Sequence, residues 1–275
     1  MDGVRCCTAT TLELEMNKLT SVLILSGLMT SVAMAADAPA SPHTVAYNVG
    51  LTSDYIFRGI SQTQNDPALS GGVDYSHASG LYAGTWVSQQ KWVKTGGTNA
   101  ANDPYKTSSD WEMDFYAGYK GSADKISYDI GLIRYFYDGN TAANQVSPDT
   151  TEAYLGLTYG PVTAKYSHAI SDYFIGWGTL GTTKTKGSNY LELNATHDLG
   201  NGWGLLGHIG AQKIKNKPNA DYTDWKVGVT KDVGVGTVTV AYSDTDVSNP
   251  TAAEYMWDGK DVSKGVLAVS FAKSF

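Results

Sequence analysis

Residues 265–275 read GVLAVSFAKSF. Leu267, Val269, Phe271 and Phe275 fall on one parity, and Ala268, Ser270, Ala272 and Ser274 on the other. Successive side chains of a strand point to opposite faces, so this segment is a strand with one apolar face and one small or polar face. Lys273 interrupts the apolar face near the end, where its alkyl stem can reach toward a polar boundary.

The same period of two recurs upstream. Trp111, Met113, Phe115, Ala117 and Tyr119 oppose Glu112, Asp114, Tyr116 and Gly118. Ala153, Leu155, Leu157 and Tyr159 oppose Glu152, Tyr154, Gly156 and Thr158; Leu191, Leu193 and Ala195 oppose Glu192, Asn194 and Thr196. Helical spacing would mix these faces. Twelve segments read as strands: 44–60, 67–77, 81–89, 110–120, 125–137, 151–160, 162–171, 188–199, 203–213, 221–232, 236–245 and 264–275.

Their connections alternate in length. Short ones lie at 77–80, 121–124, 160–161, 200–202 and 233–235, mostly with glycine to make the turn. Longer ones lie near 61–66, 90–109, 138–150, 172–187, 214–220 and 246–263. This rhythm predicts an all-β fold: a transmembrane antiparallel β-barrel of about 12 strands, with short periplasmic turns and longer extracellular loops. A soluble sandwich or lipocalin-like barrel also alternates, but its apolar face points inward. Here the mixed face holds Asp54, Asp74, Glu112, Asp114, Asp129, Glu152, Lys165, Glu192, Asp224 and Lys226. The other face carries aromatics near strand ends, such as Tyr47, Tyr55, Phe57, Tyr75, Trp111, Tyr119, Tyr159 and Trp225, as a membrane girdle requires.

The amino-terminal region agrees. Asn17-Lys18, an apolar run from Leu19 to Met34 and Ala33-Met34-Ala35 form a secretory signal with an A-x-A cleavage site. The expected organisation is translation from Met16 with residues 1–15 untranslated, a signal peptide over 16–35, a periplasmic leader over 36–43 and the barrel over 44–275. Cys6 and Cys7 both precede Met16, so the mature chain has no thiol for disulfides, nucleophilic catalysis or zinc. Removing residues 1–35 takes away Arg5, Lys18, Asp2, Glu13 and Glu15, and the formal charge goes from −7 to −6. No Lys/Arg-rich run points to nucleic acid. No later segment reaches the roughly 18 apolar residues of a membrane helix.

The block from Gly50 to Trp86 reads GLTSDYIFRGISQT and then PALSGGVDYSHASGLYAGTW. It resembles the TorF-like porins of proteobacteria, an outer-membrane β-barrel family of unknown function. The similarity runs from about Val45 to Phe275, and later strands match mainly in style, as in DFYAGYKG at 114–121. The closing strand also resembles the last strand of bacterial outer-membrane barrels, whose terminal aromatic is read by the assembly machinery; here that residue is Phe275. The resemblance implies an outer-membrane pore and brings no catalytic residue.

No GxSxG, HExxH or phosphate-binding glycine loop is present, so no enzyme activity is expected. No histidine pair has metal-ligand spacing, and no cofactor is implied. His168 and His197 are the places to look for an outer-surface lipid hydrolase, the remote alternative.

The inward parity is the better candidate. Asn48, Gly50, Thr52, Asp54, Ile56 and Arg58 share it if the first strand stays regular. The inward set holds eight acids against three bases (Arg58, Lys165 and Lys226). Charge pairing alone cannot satisfy these acids, which favours a wet lumen. About twelve strands lie between the ~8 that close around side chains and the ~16 that leave a wide channel. The expected function is passive diffusion of small hydrophilic solutes, with a mild preference for cations or zwitterions. Asp54, Arg58, Glu112, Asp114, Glu152 and Glu192 are the candidate pore-lining residues. Expected partners are outer-membrane lipids, the barrel assembly machinery and those solutes. A non-conducting scaffold or adhesin acting through loops 90–109 and 172–187 is the alternative.

Overall fold

The computed structural model describes residues 41–96, 104–248, 250 and 254–275. The signal peptide and most of the leader lie outside the described residues. Twelve antiparallel strands close a barrel: β1 (His43–Thr52), β2 (Ala68–His77), β3 (Leu81–Gln89), β4 (Trp111–Ala123), β5 (Ile126–Tyr137) and β6 (Thr150–Tyr159), then β7 (Val162–Ala169), β8 (Asn189–Gly200), β9 (Trp203–Lys213), β10 (Tyr222–Asp232), β11 (Thr237–Thr245) and β12 (Val266–Ser274). Each strand pairs with its sequence neighbours. The seam joins β1 to β12, with Asn48 opposite Ser274 and Thr52 opposite Ser270. Every backbone donor row is thereby paired, as a strand assembly in hydrocarbon requires.

The parity argument decides which face is which. Val45, Tyr47, Val49 and Leu51 of β1, Leu155 and Leu157 of β6, and Leu267 and Val269 of β12 are all exposed on the outside. The opposite parity (Asn48, Glu112, Asp114, Glu152, Glu192 and Asp224) is buried inside. Lys273 faces outward at the rim, its ammonium 4.6 Å from the Phe275 ring centroid. A closed barrel with an apolar outside and a polar inside is a transmembrane barrel of the outer-membrane kind. Tight turns join the strands at one end. Asn201 and Gly202 both take positive φ (53° and 74°), the combination a type I′ hairpin needs.

The interior is packed in a way that explains the glycines. Tyr116 of β4 lies across Gly84 of β3, its register partner, and a Cβ at Gly84 would sit 2.5 Å from the ring. Tyr82 lies across Gly118 and Tyr154 across Gly131 in the same manner. Inward tyrosines thus lie flat on neighbouring strands and leave part of the lumen free.

The first strand differs from expectation. It ends at Thr52, and residues 53–67 turn into the barrel. There Ile56–Phe57 pairs with Ile60–Ser61 around Arg58 and Gly59 (φ 48° and 80°). The alternation from Asp54 to Arg58 belongs to this internal hairpin and not to the barrel wall, so Tyr55 and Phe57 pack inside the barrel instead of joining an outer girdle. At the opposite end from the tight turns, the long connections pack an aromatic cluster of their own. Trp92, Val93, Tyr105, Phe174, Ile214, Tyr255, Trp257 and Val262 are buried there with Ile60 and Tyr137.

Candidate functional site

The hairpin at 56–61 positions the most strongly held charge in the lumen. Positive φ is uncommon for a residue with a long side chain, so the fold must over-determine Arg58. It does so through Glu152 on β6. Arg58 Nη1 and Nη2 donate to the two Glu152 oxygens at 3.1 and 2.7 Å, and Nη1 also donates to Gln212 Oε1 at 3.0 Å. The guanidinium carbon lies 4.4 Å from the Tyr190 ring centroid and 4.8 Å from that of Phe57. Burial works against this charge. The Glu152 carboxylate more than offsets it and holds the guanidinium firmly protonated. Gly59 is required beside it, because a Cβ there would meet Asp224 Cβ at 2.6 Å.

Asp54 fastens the base of the hairpin. Ser61 Oγ and Thr63 Oγ1 donate to one oxygen (2.6 and 2.9 Å), and Asn65 Nδ2 to the other (2.9 Å). Burial pushes its carboxyl up from the ordinary value, and the bonds from Ser61, Thr63 and Asn65 pull it back in part.

The carboxylates of the wall are satisfied mostly by neutral donors. Glu112 accepts from Tyr55 (2.6 Å) and Tyr137 (2.5 Å). Asp74 accepts from Tyr116, Asp129 from Tyr82, and Asp224 from Tyr190 at 2.7 Å. His208 lies between Asp224 (2.9 Å) and the Asn194 amide oxygen (2.7 Å), and Asn194 donates to Glu192 Oε2. Of the eight inward acids only Asp114 has no such partner: its Oδ1 is buried without a hydrogen bond. The count of acids against bases therefore underestimated how well this interior pairs itself. Tyrosine hydroxyls supply the donors that the three bases do not.

The hairpin lies between two cavities. The larger, ≈ 210 Å³, is lined by Arg58, Gly59 and Asp54 with Lys165, Glu192, His208, Asp224 and Lys226 of the wall. The smaller, ≈ 40 Å³, lies among Phe57, Ile60, Trp92, Phe174, Tyr255 and Trp257 of the loop cluster. Of the six residues singled out from sequence, Asp54, Arg58 and Glu192 line the larger cavity and Glu152 anchors Arg58. Glu112 and Asp114 stand on β4 beside the hairpin and outside that lining. Lys165, Lys226 and His208 line it without having been singled out. Their inward parity was legible, but their place in the same chamber depends on three-dimensional register.

His168 contacts the Tyr166 hydroxyl at 3.2 Å, while Ser167 is buried on the opposite face. Among the described residues no group of three or more His, Cys, Asp or Glu could hold a metal ion.

A closed, lipid-facing barrel with a charged interior defines an outer-membrane β-barrel protein. The chain belongs to the Gcw_chp family, described as a bacterial protein of unknown function, whose sequence model matches residues 36–275. That match does not carry the TorF-like name attached to the block at 50–86. No curated protein matches the chain. Among solved structures, the fold is similar to the KdgM porin in complex with disordered oligogalacturonate, at 10% identity over 84% of this chain and 98% of that chain, with a TM-score of 0.48. It is similar to the NanC porin at 10% identity over 84% and 99%, with a TM-score of 0.47. The COG4313 outer membrane channel from Pseudomonas putida F1 is 12% identical over 89% and 100%, with a TM-score of 0.48.

Proposed function

We propose that this protein is an outer-membrane channel for passive diffusion of small hydrophilic solutes, preferring cations or small zwitterions to anions. The observation that carries this reading is the charged cavity of ≈ 210 Å³ inside the wall. A barrel serving only as a filled scaffold has no use for a chamber lined by Arg58, Lys165, Glu192 and Lys226, because burying charge without a solute or water is costly. The preference rests on the acidic excess of the inner wall, since rings of charge and pore width set selectivity in channels. Asp54, Arg58, Glu112, Asp114, Glu152 and Glu192 remain the proposed lumen residues. Export through a signal peptide over 16–35, and assembly through the barrel-insertion machinery with Phe275 as its signal, belong to the same reading. Planar-bilayer recordings test it. The expected result is a small conductance with a reversal potential on the cation side in a salt gradient. Clear anion selectivity sinks the preference, and the absence of any conductance sinks the channel.

One observation favours a second reading. The outer loops share a packed aromatic cluster, and a packed loop surface suits a scaffold or adhesin. A barrel that never conducts, and whose cell-surface binding disappears when loop 90–109 is deleted, would establish that role instead.

A further inference from the structure

Most charges lining the larger cavity have an ion-pair or hydrogen-bond partner; among the described residues two have neither. Arg58 is held by Glu152, and Asp224 by Tyr190 and His208. Lys165 and Lys226 line the same chamber and form no ion pair or hydrogen bond among the described residues. Lys165 only rests over Tyr154, with its ammonium 4.5 Å from the ring centroid. The register places the two lysines on either side of one carboxylate patch. Lys165 is opposite Glu192, whose row continues through Gly210 to Asp224, and Lys226 follows Asp224 by two residues. Glu192 is half committed: its Oε2 accepts from Asn194, and among the described residues no side chain donates to its Oε1.

An ammonium half-removed from water gains most from an oxygen anion that can take several of its donors. Two such groups around one chamber define a seat for a carboxylate. Asp54, Glu192 and Asp224 balance Arg58, Lys165 and Lys226 in the lining, so a solute bearing net negative charge gains little from the chamber as a whole. A solute with both signs satisfies the lysines and the open Glu192 oxygen together. The chamber, ≈ 210 Å³, has room for a solute of free amino-acid size.

We infer that the cavity beneath the Arg58 hairpin is a binding subsite for a small zwitterion of the amino-acid type, with Lys165 and Lys226 receiving its carboxylate and Glu192 its ammonium. The inference rests on the channel reading for its purpose and names the solute class within it.

Titration calorimetry of the detergent-solubilised full chain tests the subsite without requiring conduction. The probes are alanine, propionate and ethylamine. Alanine is expected to bind, with propionate and ethylamine each weaker. Lys165→Met and Lys226→Met should each weaken alanine by about ten-fold, the scale of one lost charge-assisted hydrogen bond. Glu192→Gln should weaken alanine while leaving propionate unchanged, a pattern that a misfolded variant cannot produce. Absent alanine binding by the native chain, or alanine binding in both lysine variants as tight as in the native chain, overturns the subsite. Bilayer conductance is read in parallel. Conduction without alanine binding removes the subsite and leaves the channel standing, whereas binding without conduction keeps the subsite and removes the channel.

Discussion

Arg58 and Glu152 are 94 residues apart in sequence and meet inside the barrel through two parallel nitrogen–oxygen bonds of 3.1 and 2.7 Å. Their pairing turns the segment after β1 from an outer loop into an internal obstruction. Removing one member of a buried ion pair costs about 3–5 kcal/mol when the other stays buried. If the hairpin undocks when the pair is lost, that cost is limited. Glu152→Gln is therefore expected to leave the barrel folded, to lower the hairpin's resistance to proteolysis, and to raise single-channel conductance. Unchanged conductance together with unchanged proteolysis would show that the pair does not hold the hairpin.

The interior glycines give a matched pair of substitutions. At Gly84 a Cβ would fall 2.5 Å from the Tyr116 ring, whose hydroxyl is bonded to Asp74 at 2.5 Å. Moving the ring breaks that bond, so Gly84→Ala should cost about 1–3 kcal/mol, the usual scale of overpacking. Gly207 lies outward on β9 with nothing within 4 Å of its would-be Cβ, and Gly207→Ala should stay within about 0.5 kcal/mol. Thermal loss of the heat-modifiable gel band in detergent measures both. Equal midpoints for the two variants would mean that the tyrosine–glycine contacts contribute nothing.

How far the sequence could be read follows from which signals are local. Alternation is local, and the barrel strands lie where it placed them, from β2 at Ala68–His77 to β12 at Val266–Ser274. The error came where alternation continues through a different structure. Asp54, Ile56 and Arg58 keep the parity of β1, yet the chain leaves the wall after Thr52. Arg58-Gly59 makes the turn, and an arginine at positive φ is not a composition that announces a hairpin. Tyrosine was the other blind spot. Tyr75 and Tyr119 face outward, while Tyr116, Tyr137 and Tyr190 face inward and donate to carboxylates. The residue type fits both a membrane girdle and an acidic lumen, and only the strand register separates them.

Asp114 is the inward acid left without a neutral donor, and it yields a prediction of unusual sign. Its Oδ1 is buried without a partner, and the carboxylates of Glu112 and Glu152 are its charged neighbours. An unsatisfied buried group costs about 1–3 kcal/mol, more when charged. Asp114→Asn keeps the shape and removes the charge, so the thermal midpoint in detergent at neutral pH should rise. A fall would show that the carboxylate has a stabilising role, for example toward a bound cation or water.

Trp92 ties the outer loops together. It is 1% exposed, and its ring lies 5.1 Å from that of Tyr137, 5.5 Å from Tyr105 and 6.0 Å from Trp257. Truncating a buried tryptophan costs about 3–5 kcal/mol. The loops stand outside the closed ladder of β1–β12, so this loss should appear as local opening at the outer end, with the barrel's own midpoint almost unchanged. If solutes leave or enter past this cluster, Trp92→Ala raises the open fraction in bilayer recordings and speeds liposome swelling with small solutes. If the cluster serves to shape a binding surface, the same change leaves permeability as it was and lowers adhesion. One variant measured in both assays therefore separates the channel from the scaffold, because the two readings place opposite demands on the same packed ring.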